Sequence, residues 1–249
     1  MKSRRKRVIL TIILCILFLL LAAIVYVFQF SGEYRMTVPY RPYFEEIAPH
    51  IYLNKGNVMA PEDVLSVINE AKARDTAFFG ELHCLDDVTI IICDDAGISR
   101  KIGTKDTITY DFPQKKDYIC ISNEYLNVDI VAHELTHAEL HSHFTTCDAQ
   151  RKMPSWFDEG IATQNDYREQ YSAENWAEQT DNGKTATALT DMDTPSEFYA
   201  GEAEDRRFRY ICAKHEIAVW IENHSVQELL AVADGLNSGA DFETLYFAE

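Results

Sequence analysis

Residues 8–30 carry no charged side chain, and that run constrains the fold more than any other feature of the 249-residue chain. As a helix rising roughly 1.5 Å per residue it is about 34 Å long, enough to cross a hydrocarbon core of roughly 30 Å. Lys2, Arg4, Arg5, Lys6 and Arg7 precede it, and basic flanks are retained in the cytoplasm. We therefore expect a single-pass anchor in the cell membrane, with a cytoplasmic N-terminus and everything after residue 30 outside. The competing reading is a cleaved signal peptide. It fits less well, because the apolar core of a signal is usually about 7 to 15 residues and no small-x-small site follows this run.

The 219 residues beyond the anchor suit one domain with a real core. All 40 acidic side chains lie there, against 18 of the 23 basic ones, so its formal charge is −22. A surface of that sign repels nucleic acid and anionic lipid, which excludes nucleic acid as a partner and leaves the anchor as the contact with the membrane. Cys15 lies in the anchor; Cys84, Cys93, Cys120, Cys147 and Cys212 lie beyond it. An oxidising exterior permits up to two disulfides among these five, and buried free thiols are the alternative, above all for Cys93 and Cys120 in strand-like runs.

Along the chain, residues 31–49 contain three prolines and several aromatics and read as a semi-extended juxtamembrane linker. A short strand at 50–53 and a helix at 61–78, opened by Pro61, follow. Residues 88–93, 107–112 and 118–122 are rich in β-branched and aromatic side chains and read as strands. Residues 167–196 are polar, with a turn at Asp181-Asn182-Gly183, and read as a surface excursion near a cleft. Helices near 203–223, 225–235 and 240–247 finish the chain. A small sheet followed by helices makes the fold class α+β.

Residues 133–137 read His-Glu-Leu-Thr-His. They sit in 128–143, a stretch free of proline and glycine in which Val131, Leu135 and Ala138 form an inward helical stripe, with Asn127 or Asp129 as the cap. Four residues is about one turn, so His133 and His137 leave the helix on one face and can each offer a ring nitrogen to one metal ion. Glu134 stands beside that face, placed to act on water without being a ligand. Catalytic zinc usually has three protein ligands, so a third is needed. His143 has the spacing of a metzincin ligand, but that arrangement turns on a glycine where this chain has Leu140. Glu159 is the preferred third ligand and Asp158 the fallback. Both follow Pro154-Ser155, a helix-opening pair that places them in the first turns of a second helix antiparallel to the first.

Trp156, Glu159, Gly160 and Ala162 spell Trp-x-x-Glu-Gly-x-Ala. With the His-Glu-x-x-His stretch before it, the region 129–162 resembles the gluzincin zinc peptidases, especially small bacterial membrane-anchored ones, and a weaker likeness continues through the C-terminal helices. The resemblance implies a small twisted sheet, a metal helix, a third-ligand helix and a mainly helical C-terminal subdomain spanning 50–249 in all. It implies Zn2+ held by His133, His137 and Glu159, with Glu134 as general base in peptide-bond hydrolysis. It also implies an oxyanion donor from a later helix: Tyr210 is preferred, with Tyr199 and His215 as alternatives. In the family an edge strand pairs with extended substrate, for which 107–112 is the candidate. No Gly-x-Met-Glu-Asn-like segment that would hold a substrate amine is present, which favours an endopeptidase. Two other readings compete with a peptidase acting on peptides or proteins. One is a receptor or interaction domain that keeps the fold without turnover; the other is a tethered domain with no metal.

Overall fold

The computed structural model describes residues 2–30, 32–102 and 117–247. Its first element, α1 (Lys2–Phe30), contains a span, Lys6–Tyr26, long and apolar enough to cross a membrane, and none of that window is buried against the rest of the protein.

Four strands lie side by side in chain order: β1 (Phe44–Ala48), β2 (Ile51–Asn54), β3 (Thr89–Cys93) and β4 (Tyr118–Ser122). β1 and β2 are antiparallel, linked through His50 at a φ of 61°. β2 with β3, and β3 with β4, are parallel. Parallel neighbours need a crossover, supplied from β2 to β3 by α2 (Pro61–Phe79), while α3 (Ala96–Ile102) lies in the connection after β3. The period of two along each strand then sorts the side chains. Ile90, Ile92, Ile119 and Ile121 face α2 and α4 (Val128–Ser142); Ile91, Cys93, Tyr118 and Cys120 face the opposite way, onto Tyr34 and Val38. Cover on both faces is why β3 reads as an unbroken apolar run.

That second face corrects the expected linker. Residues 32–40 form a 3-10 helix (Gly32–Tyr40) leading to β1, and Tyr34, Val38 and Phe44 are buried. The prolines predict an extended tether, but Tyr34 and Val38 before them and Phe44 among them complete the core. The strand expected at 107–112 lies outside the described residues. All six cysteines are free thiols, four of them buried.

From α4 onward the described chain is helical: α5 (Cys147–Gln150), α6 (Ser155–Ala162), α7 (Ala173–Gln179), α8 (Pro195–Phe198), α9 (Ala203–Asn223), α10 (Val226–Asn237) and α11 (Phe242–Tyr246), joined by short 3-10 turns. Their core centres on Trp156 and Phe157 of α6, which meet Phe242 and Tyr246 of α11 edge-on at centroid separations of 5.0 to 5.7 Å. These rings anchor one side of α6. The other side approaches α9 so closely that Gly160 touches the Ala213 backbone, which only a residue without a Cβ permits.

Candidate metal centre

Two helices build the centre. Helix α4 starts where the Asn127 side-chain oxygen accepts the Ile130 amide at 3.0 Å, satisfying one of the donors a helix start leaves open. Its stripe of Ile130, Val131, Leu135 and Ala138 seats it on the sheet, which leaves the His133–His137 ridge facing α6. Pro154 opens α6, and its next turn delivers Asp158 and Glu159 to that ridge.

The His133 and His137 Nε2 atoms are 3.2 Å apart, and Glu159 Oε2 lies 3.3 Å from each. Asp158 Oδ1 meets the other ring nitrogen of His137, Nδ1, at 2.7 Å, and Asp158 Oδ2 meets His141 Nε2 at 3.2 Å. An ionised carboxylate only accepts, so His137 Nδ1 carries a proton, and the neutral form of the ring presents the Nε2 lone pair to the triangle. Asp158 therefore stands on the far side of the His137 ring from the triangle, where with His141 it makes a second group of ligand-type atoms. The Tyr199 hydroxyl donates to Glu159 Oε1. Glu159 Oε2, buried, has no hydrogen-bond partner, and neither does His133 Nδ1.

These distances test whether the residues fit a metal. In a tetrahedral site with bonds of about 2.0 Å, neighbouring ligand atoms stand about 3.3 Å apart. The observed triangle has that size. Two ring nitrogens and a buried carboxylate oxygen this close together call for positive charge among them, either a proton on a ring nitrogen or a cation at the centre of the triangle. The ionisation of the site agrees. Burial alone raises the Glu159 and Asp158 carboxyls and lowers the His137 imidazole. The mutual attraction between His137 and these carboxylates overrides burial, holding both acids well below the usual carboxylate range and lifting His137 well above the usual imidazole range. The pocket attracts positive charge, as a proton or as a metal ion.

The triangle opens on a cleft of about 620 Å³, lined by Glu134, Tyr171, Tyr199 and Tyr210 among others. Glu134 is buried at its wall. The Tyr210 ring stands 6.2 Å from that of His133, and burial, then the Glu159 charge, keep its hydroxyl protonated far above the ordinary tyrosine value. His215 stacks on Trp176 away from the cleft. His143 turns to Glu139 instead of the centre. The structure thus brings His133, Glu134, His137, Glu159, Tyr199 and Tyr210 together and leaves His143 and His215 outside. Sequence reasoning missed the roles of Asp158 and His141, although the Asp-Glu pair on one short helix was a signal that two carboxylates approach the histidines. The tie from Tyr199 to Glu159 had no local signal.

Compared with known proteins, the chain matches no family model and no curated sequence.

Proposed function

We propose that this protein is a membrane-anchored zinc metallopeptidase of gluzincin type that cuts peptides or proteins outside the cytoplasm. The observation that carries the reading is the triangle of His133 Nε2, His137 Nε2 and Glu159 Oε2, with sides of 3.2, 3.3 and 3.3 Å, at the floor of a cleft walled by Glu134. Two imidazoles and one carboxylate are a donor set that zinc takes in hydrolases, leaving a position for water or substrate. Bound zinc supplies a Lewis acid that acidifies water and polarises a carbonyl.

The chain's own residues do the rest. Glu134 accepts the proton of the water that attacks the scissile carbonyl and returns it to the departing amine. Tyr210, held protonated, donates a hydrogen bond to the oxyanion that develops on the carbonyl oxygen. Asp158 fixes the tautomer and ring direction of His137, and Tyr199 holds Glu159 through Oε1 so that Oε2 points into the triangle. The basic N-terminus and the Lys6–Tyr26 span support a cytoplasmic start and an exterior cleft.

The test is Glu134→Gln in full-length protein in detergent, compared with wild type for zinc content and cleavage of an unstructured polypeptide. The variant should keep its zinc and lose hydrolysis by several orders of magnitude, because an amide cannot take the proton. Turnover at the wild-type rate would refute the assignment, and two proteins that are both inert while holding zinc would favour a binding domain.

A further inference from the structure

Helix α4 and the residue that caps its end carry a second pair of ligand-type side chains one turn apart. Glu139 and His143 are spaced like His133 and His137 but lie about 120° round the helix from them. His83, in the turn after α2, reaches the same place. Its Nδ1 is 3.1 Å from Glu139 Oε1, and His143 Nε2 is 3.2 Å from that same oxygen. The other oxygen, Oε2, accepts the backbone amides of His83 at 2.7 Å and Cys84 at 3.0 Å. Two backbone donors thus lock the carboxylate, and its free oxygen is aimed at two imidazoles from separate elements.

The Glu139 side chain is 1% exposed. Among the described residues its only ion-pair partners are these two histidines, so no lysine or arginine balances its charge. The three ligand atoms lie within 4.8 Å of one another, and both oxygen-to-nitrogen separations are close to the roughly 3.3 Å edge of a tetrahedral zinc site. The His83 side chain is 61% exposed and that of His143 20%, so water can complete the coordination. We propose that His83, Glu139 and His143 bind a second divalent ion of the zinc class, outside the cleft, which ties the turn after α2 to the end of α4. Carboxylate and imidazole donors together select zinc, copper or nickel over magnesium or calcium.

The experiment titrates zinc into metal-stripped, full-length protein in detergent against a competing chromogenic chelator. Wild type should take two equivalents, His83→Ala/His143→Ala one, and His133→Ala/His137→Ala the other one, so the two sites fail independently. His83→Gln/His143→Gln separates a metal site from a hydrogen-bonded tether. Glutamine keeps an N–H donor for Glu139 but is a poor zinc ligand, so this variant should fold as wild type and still lose the second equivalent. Zinc should also raise the melting midpoint of the His133→Ala/His137→Ala protein, and leave that of a protein lacking all four histidines unchanged. A His83→Ala/His143→Ala protein that binds as many equivalents as wild type, or a glutamine variant whose isotherm matches wild type, overturns the proposal; a wild type whose single equivalent is lost in His83→Ala/His143→Ala and kept in His133→Ala/His137→Ala supports it and counts instead against the cleft site.

Discussion

Replacing Gly160 by alanine sets two effects of known size against each other. Alanine is favoured over glycine in a helix interior by about 1 kcal/mol. Here, however, the new Cβ would meet the Ala213 carbonyl oxygen and Ile217 Cγ1 at 2.7 Å each, and the Ala213 carbonyl carbon at 3.1 Å. Relaxed contacts of this kind lie near 3.5 Å, so α6 and α9 must part by roughly 0.5 to 0.8 Å. The obstacle is backbone, which no rotamer change relieves, and Ile217 is fully buried. Overpacking of this kind costs about 1–3 kcal/mol. Because the obstacle is backbone, we place the cost in the upper part of that range, about 2–3 kcal/mol, so the clash wins with a net loss of about 1–2 kcal/mol and a melting midpoint lower by about 2–8 °C. Glu159 precedes the altered residue, so the shift also displaces one side of the triangle, and zinc affinity should fall about tenfold. Thermal unfolding of the protein and chelator competition measure the two effects. A Gly160→Ala protein as stable as wild type, with unchanged zinc affinity, would mean that helix propensity dominates and that the close approach of α6 to α9 does not exist.

Asp158→Asn should weaken zinc binding by about 10- to 100-fold while leaving the fold intact, because it removes the negative charge and leaves one acceptor oxygen where Asp158 offers two, one to His137 and one to His141; equilibrium competition with a chelator checks this. Tyr210→Phe should lower kcat about 100-fold with little change in KM, whereas Tyr199→Phe should act on metal affinity, since its hydroxyl is committed to Glu159; steady-state kinetics beside zinc titration separates the two. Asp75 lies in the core-facing stripe of α2, and burial pushes its carboxyl from 3.8 up to about 8. Between about pH 4 and pH 8 the folded chain holds a proton there that the unfolded chain has released. This contribution is therefore complete below pH 4 and lost as pH rises towards 8, amounting to roughly 4–6 kcal/mol over the window. Denaturation of wild type and Asp75→Asn at several pH values should show the difference growing with pH in favour of the variant, and parallel curves would refute it.

What was legible in the sequence is what depends on neighbours along the chain. The helix long and apolar enough to cross a membrane followed from one uncharged run. His133 and His137 could be paired because a helix turn is a local distance, and Asn127 could be named as a cap because capping acts over three residues. The parallel strands showed as apolar runs, since burial on both faces leaves no polar alternation. Tertiary structure decided everything that depends on which surfaces meet. Asp158 and Glu159 are adjacent, and about 100° of helical rotation separates the side chain that completes the triangle from the one that orients His137. Their order was visible, but the angle at which α6 crosses α4 was not. Tyr199 reaches Glu159 across 40 positions, and His83 reaches Glu139 across 56. No periodicity encodes such contacts, because packing of the helices and the sheet fixes them. The same holds for residues 32–40, where Tyr34 and Val38 read as linker until the second face of the sheet needed cover. Local rules set where elements begin and what they can carry, while the hydrophobic burial that joins those elements determines which of the carried groups come together.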